Sequence, residues 1–360
     1  MNQSAIDTLL EAATLAPSGD NTQPWRFAVD REHWTVSVEV DPTRDPSPMN
    51  AGQRMAWIAV GAAVENMIRT AEKNSWAYEI LDAGKAGNMR LQLQPTSTPG
   101  TIDPVIRARV TNRRVYDATP IPADGLNRLQ EATGQISGVE ATWIVDRSIL
   151  GRLAKLIARA DALMLGTKSI RDAFLAKVRF DQPVSTEVDA GLSLGSLEVS
   201  SIEQKLLRLM VYVPDIILRP LGGRRIFAGV AEKLAHSATG VCLIRAEDSS
   251  AAGQVRVGRL WQRAWLALTQ DGFAAQPMMS LCVLRNIQEQ GEREIVDQVG
   301  RDALETLLRD FERLESDLGM SVRTSAIMRF GFAPPPSART GRLRLEQSCS
   351  AADSSVSSQC

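Results

Sequence analysis

Ile6, Leu9, Leu10 and Ala13 recur at three- and four-residue intervals ahead of Pro17, a spacing that predicts an amphipathic helix over residues 4–15. The Ser-Gly-Asp-Asn cluster that follows is turn chemistry. Phe27-Ala-Val and the alternating Trp34-Thr-Val-Ser-Val-Glu-Val read as strands, and the prolines between Asp41 and Pro48 as a loop. From Gln53 to Lys73 the apolar positions cover most of a helical surface, which predicts a largely buried helix. Two short strands are expected between Tyr78 and Gln94, then a linker over Pro95–Pro104, a helix over Gly125–Thr133, a strand over Val139–Val145 and a helix over Ser148–Leu165. Beyond residue 223 the pattern gives a buried strand at Gly240–Ile244, a helix over Val255–Gln270 and charged helices between Ile287 and Leu318. Met328-Arg-Phe-Gly-Phe-Ala then runs into a proline-rich exit.

Residues 168–223 carry no clear period and read as an insertion, with Leu206–Val213 and Ile216–Leu218 on either side of Pro214. Such an apolar stretch is either a helix for a membrane surface or partner, or a lid on the protein's own core. Pro214 and Asp215 interrupt the stripe and no basic face is sustained, which favours the lid. Trp57-Ile-Ala-Val-Gly61 and Gln254-Val-Arg-Val-Gly258 echo one another, each with a glycine early in an apolar helix. Buried helices often look alike, so the echo is compatible with duplication without requiring it.

The 360 residues allow one large unit or two similar halves. The 41 basic and 42 acidic residues nearly cancel, so no overall field holds a nucleic acid or an anionic membrane, and neither is expected as a partner. The N-terminus lacks a basic segment followed by an apolar one, and no apolar run approaches the ~20 residues that span a bilayer, so a soluble cytoplasmic protein is expected. Cys242 and Cys282 lie in apolar segments and read as buried thiols, whereas Cys349 and Cys360 are in the tail; none has metal-ligand spacing. His33 and His236 lie in no nucleophile or ligand motif. No GxGxxG or GxxxxGK[ST] pattern is present, so an enzyme of this sequence must leave the hard chemistry to something other than a side chain. No catalytic side chain and no metal site are assigned.

The stretch Ala16-Pro17-Ser18-Gly19-Asp20-Asn21-Thr22-Gln23-Pro24-Trp25 stands out. A helix that stops at proline hands over to small and amide residues, so backbone N–H groups and the side chains of Ser18, Asn21 and Gln23 can face a planar heterocycle whose edge alternates acceptors and donors. The plainer reading is a helix-to-strand turn with Trp25 in the core. With its flanking helix and strand, the segment resembles the FMN-dependent nitroreductase family, whose fingerprint is a helix ending in Ala-Pro-Ser, then Asn and Gln-Pro-Trp. Arg107-Ala-Arg109-Val-Thr-Asn112-Arg113-Arg114-Val-Tyr116 with Thr119-Pro-Ile-Pro122 resembles the family's Arg-rich turn, which holds the FMN phosphate and ribityl chain. Here Asn112-Arg113-Arg114 stands where the common pattern is Arg-Arg-Ser-x-Arg. Met328 to Arg344 resembles the closing strand, with Arg342 and then Arg339 as the residues that reach the phosphate.

In this chain the Pro-Ser loop precedes the Arg-rich turn and is not repeated, an order similar to the Acg-like branch, in which one duplicated chain mimics the dimer. The resemblance implies an α+β, nitroreductase-like fold: a central mixed or antiparallel sheet flanked by helices, built as an internally duplicated pseudo-dimer that can be monomeric. Residues 1–98 form the first half with the Pro-Ser loop, residues 99–346 the second half with the insertion, and residues 347–360 a disordered tail. It further implies FMN bound by Pro17, Ser18, Gly19, Asn21, Gln23, Arg109, Asn112, Arg113, Arg114, Arg339 and Arg342. Hydride would pass from NAD(P)H to the flavin and on to a nitroaromatic, quinone or similar acceptor. A flavin-sequestering protein with a closed lid, a flavin-dependent biosynthetic oxidase and a flavin-free helical interaction module are the alternatives.

Overall fold

The computed structural model describes residues 4–82, 88–97, 100–117, 119–122, 124–182, 189–212 and 223–349. Helix α1 (Ala5–Thr14) begins at a reciprocal cap in which the Ser4 hydroxyl accepts from the Asp7 N–H and the Asp7 carboxylate accepts from the Ser4 N–H. Strands β1 (Trp25–Asp30) and β2 (Thr35–Val40), helix α2 (Arg54–Lys73) and strands β3 (Tyr78–Asp82) and β4 (Met89–Leu93) complete the segment that ends at Leu93. Its core joins Leu9, Leu10, Trp25, Phe27, Met67 and Leu91.

The chain then runs through α3 (Pro104–Ala108), α4 (Gly125–Thr133), β5 (Val139–Ile144), α5 (Arg147–Gly166), α6 (Lys168–Lys177), β6 (Val178–Arg179), β7 (Leu192–Ser193), α7 (Leu194–Leu197) and α8 (Ser201–Tyr212). It continues with α9 (Gly223–His236), β8 (Gly240–Ala246), α10 (Ala251–Gln270), β9 (Ala274–Pro277), α11 (Ser280–Gln290), α12 (Arg293–Val299), α13 (Arg301–Asp317) and β10 (Arg323–Gly331). The insertion is therefore several elements, not a single flap. Pro214, Asp215 and Ile216–Leu218, on which the lid reading drew, lie outside the described residues.

Sequence reading expects one central sheet; the chain makes two four-stranded antiparallel sheets, ordered β1-β2-β4-β3 and β5-β8-β10-β9. Counted within its own sheet, each runs first-second-fourth-third, and each has a 20-residue helix between its second and third strands. Those helices, α2 and α10, pack directly on one another through the two glycines of the sequence echo. A Cβ on Gly61 would lie 2.0 Å from the Val255 carbonyl oxygen, and one on Gly258 would lie 1.9 Å from that of Ile58. Each glycine thus meets the carbonyl three residues before the other, so the contact is reciprocal. Buried Glu65 accepts from Arg259 Nε (3.0 Å) and from Arg263 across the same seam, and Gln262 donates to Asn66 (2.7 Å).

The chain crosses between the sheets twice. After β4, Thr111 bridges to Ala275 on β9; after β10, Cys349 bridges to Phe27 on β1. Ser348 is fully buried at that edge, so residues 347–349 belong to the fold and not to the tail expected from 347 onward. The open edge of β1 supplies backbone partners that composition alone does not reveal. Residues 350–360 lie outside the described residues. Among the described residues no helix is long and apolar enough to cross a membrane. Cys242 and Cys282 are buried free thiols.

Candidate functional site

The site starts where α1 stops. After Pro17 the chain makes a tight bend in which three non-glycine residues, Asp20 (φ 46°), Asn21 (φ 55°) and Gln23 (φ 52°), take the left-handed conformation. Backbone of that kind persists only where its surroundings hold it. Here Ser18 Oγ accepts from the Gln23 N–H (2.9 Å), and Gln23 Nε2 donates to the Asp189 carbonyl (2.6 Å). Gln23 Oε1 accepts from the Leu343 N–H (3.0 Å), while Asn21 Nδ2 donates to the carbonyls of Asp189 (3.2 Å) and Gly341 (3.3 Å). Both amides are occupied in tying the bend to the strap that follows β10.

The strap and the Arg-rich turn converge on the same bend. α3 begins with Asp103 accepting from the Val105 N–H (3.0 Å) and with Pro104 in its first turn, and it ends at Arg109. Arg109 Nη2 donates to the Leu15 carbonyl (2.9 Å), and its guanidinium lies 4.7 Å from the Trp265 ring centroid. Arg342 Nη2 donates to the Leu15 (3.2 Å) and Ala16 (3.1 Å) carbonyls and Nη1 to Asn21 Oδ1 (3.2 Å); Arg339 donates to the Ala108 carbonyl (2.6 Å). The carbonyls of Leu15 and Ala16, just past the end of α1, are thus met by cations, as the helix dipole favours. Burial, then repulsion from Arg342 and Arg339, holds the Arg109 guanidinium well below its ordinary basicity. Among the described residues neither Arg109 nor Arg339 forms an ion pair with a carboxylate.

Arg113 Nη1 donates to the Ser196 carbonyl (2.7 Å) and shares its surroundings with Asp20. Arg329, fully buried on β10, donates to Gln276 Oε1 (2.8 Å) and to the carbonyls of Leu234 (2.8 Å) and Arg114 (2.7 Å), and stacks 3.7 Å from the Tyr116 ring centroid. Tyr116 donates in turn to the Asn112 carbonyl (2.6 Å), so this buried pair sets the shape of the turn.

A cavity of about 680 Å³ adjoins the bend. Pro17, Ser18, Gly19, Asn21, Arg109, Arg113, Arg339 and Arg342 all contribute to its walls. Gln23, Asn112 and Arg114 do not. Gln23 is fully buried behind the bend. Asn112 donates to the Pro334 carbonyl (2.8 Å) and accepts from the Arg114 N–H (3.0 Å). Arg114 pairs with Glu198 (3.3 Å) and donates to Ser337 (2.9 Å). Expected to meet a ligand, these three side chains instead hold the loops that do line the cavity.

Residues not singled out in the sequence also reach it: Asp20, Asp45, Asp161, Arg171, Gln276 and Ser280. Asp161 did carry a signal, being the only charged residue between Ala160 and Gly166 in the last turns of an otherwise apolar helix end. Burial pushes the Asp20 carboxyl up to about 6, helped by Asp45 and opposed by Arg113 and Lys177. Because that value lies above its ordinary 3.8, the group's contribution to stability is whole below about pH 4 and is lost as pH rises through about 6. Asp20→Asn should therefore leave stability nearly unchanged at about pH 4 and raise it by about 1–2 kcal/mol near pH 7, read by urea denaturation. An equal change at both pH values would contradict the assignment.

No family model matches the chain. It is 26% identical over 357 residues to the uncharacterized protein MT1398 of Mycobacterium tuberculosis, an alignment that covers 93% of the chain and 47% of that protein. The chain thus spans about half the length of this curated relative. Among solved structures it is similar to the FMN-dependent nitroreductase NfnB of Mycobacterium smegmatis in complex with NADPH (16% identity, 68% of this chain and 94% of that one, TM-score 0.37). It is similar also to a Bacteroides fragilis nitroreductase with bound FMN (14% identity, 64% and 87%, TM-score 0.33). An iodotyrosine deiodinase bound to FMN and 3-iodo-L-tyrosine gives 12% identity, 67% and 94% coverage and a TM-score of 0.35.

Proposed function

We propose that the chain binds one flavin mononucleotide between its two halves and acts as an oxidoreductase of the nitroreductase type. The observation that carries this reading is that Arg109 and Arg342 meet at the Leu15 carbonyl just before the strained bend, with Arg339 beside Arg109 and all three lining the same cavity as Pro17, Ser18 and Gly19. Arg109 is buried and held below its ordinary basicity with Arg342 and Arg339 nearby, so an anion beside it is favoured, and a phosphate monoester with nearly two negative charges matches forked guanidinium groups. Arg109, Arg339 and Arg342 would hold that phosphate. Pro17, Ser18 and Gly19 would border the ring with Arg113, while Asn21 and Gln23 keep the bend in shape.

When bound, a flavin would supply two-electron chemistry between NAD(P)H as donor and a nitroaromatic, quinone or similar acceptor. The chain's own part is to bind, orient and keep water out, with Trp261, Trp265, Met278 and Met279 among the apolar walls. The shared strand order of the two sheets and the reciprocal glycine contact support an internally duplicated, Acg-like organisation with a single composite site, in which one chain suffices.

A second reading has a specific observation behind it. Ser196, Leu207 and Leu234, from α7, α8 and α9, line the cavity, and helices that restrict access of a donor would favour storage of FMN without turnover. Anaerobic mixing of the flavin-loaded protein with NADH and with NADPH separates the two. Bleaching of the visible flavin band by either donor is the expected result; a band unchanged by both would leave only storage.

A further inference from the structure

The bend and the arginines account for only part of the cavity wall. One further stretch of the wall comes from α5, α6, α8 and the start of α11, with Met164, Ile170, Phe174, Leu207 and Val283 as its apolar members. Asp161 stands on this wall with Ser280 as its polar neighbour, and among the described residues it makes no ion pair. Arg171 shares the wall but is engaged with the Leu165 carbonyl (3.2 Å) and lies 3.7 Å from Asp172.

We propose that this compartment binds an apolar or aromatic amine, with the ammonium group paired to Asp161 and the hydrocarbon part against Met164, Phe174 and Leu207. Asp161 is half-buried on a largely apolar wall, where a carboxylate without a counter-cation is solvated less well than in water, and an ammonium ion brought in by the ligand offsets that cost. The apolar side chains around it offer the ligand's hydrocarbon a place that water solvates poorly. Burial pushes the Asp161 carboxyl up to about 6, which agrees with a carboxyl short of a partner. The inference rests on the cavity walls and not on the flavin reading, and the visible spectrum of the same sample reports flavin separately.

Isothermal titration of the full chain as purified, with phenethylamine and its neutral counterpart phenethyl alcohol, tests the proposal. The amine is expected to bind roughly tenfold or more tightly than the alcohol, the scale of one charge-assisted hydrogen bond. Asp161→Asn should bring the amine down to the alcohol's affinity and leave the alcohol within about twofold. Equal or tighter binding of the alcohol to the unaltered chain, no binding of either probe, or a preference that survives Asp161→Asn would overturn it. Should Asp161→Asn fail to fold, the comparison on the unaltered chain decides by itself.

Discussion

Gly258→Ala is expected to destabilise the chain by about 3 kcal/mol or more, although alanine is the better helix former at an ordinary site. The added methyl would sit 1.9 Å from the Ile58 carbonyl oxygen, an atom of the α2 backbone that no rotamer change can move aside. Relief comes only from separating α2 and α10, which would also loosen the seam where Glu65 meets Arg259 and Arg263. Gly61→Ala should cost a similar amount through Val255. Since either methyl alone forces the helices apart, the double substitution should cost clearly less than the two single costs added. Gly151→Ala is the control: it lies inside α5 with nothing within 4 Å of its would-be Cβ and should stabilise by about 0.5–1 kcal/mol. Urea denaturation of the set checks this, and strict additivity of the two seam substitutions would contradict the reciprocal contact.

The second large effect is one of opposite signs. Arg109→Gln should weaken FMN binding by about 10- to 100-fold, the worth of a charge-assisted hydrogen bond to phosphate. The same change should leave the flavin-free chain as stable or raise its stability by roughly 1 kcal/mol. Glutamine can still donate towards the Leu15 carbonyl, while the repulsion from Arg342 and Arg339 that depresses Arg109 disappears. Residues placed for a ligand commonly trade stability in this way. Flavin titration and denaturation of the flavin-free protein, done on one preparation, read both halves. A loss of stability as large as the loss of affinity would make Arg109 a scaffold residue only.

Much of the framework was legible in the sequence because its signals are local. The periods of α1, α2, α5 and α10, the proline that stops α1, and the turn residues after it all act within a few positions. The glycine echo was legible too, although the contact that explains it joins residues from opposite halves. What could not be read depends on distant partners. Nothing near Gln23 announces that its amide will bond to Asp189, 166 residues away, and so hold the bend instead of facing the cavity. Arg329 looked like one more strand residue, yet it organises the Arg-rich turn from 215 residues away. Asn112 and Arg114 sit in the right motif and point to Pro334 and Glu198, because the strap after β10 and the segment after α7 run past them.

The order of the three motifs leads to the proposal of one composite site, and Pro17, Ser18, Gly19, Arg109, Arg113, Arg339 and Arg342 line the same cavity. The visible spectrum of the purified full chain, with identification and quantitation of the flavin released on denaturation, tests that account most directly. A yellow protein releasing FMN at close to one per chain, and keeping that ratio as a monomer, is the predicted result. A colourless protein that neither takes up added FMN nor quenches its fluorescence would contradict it.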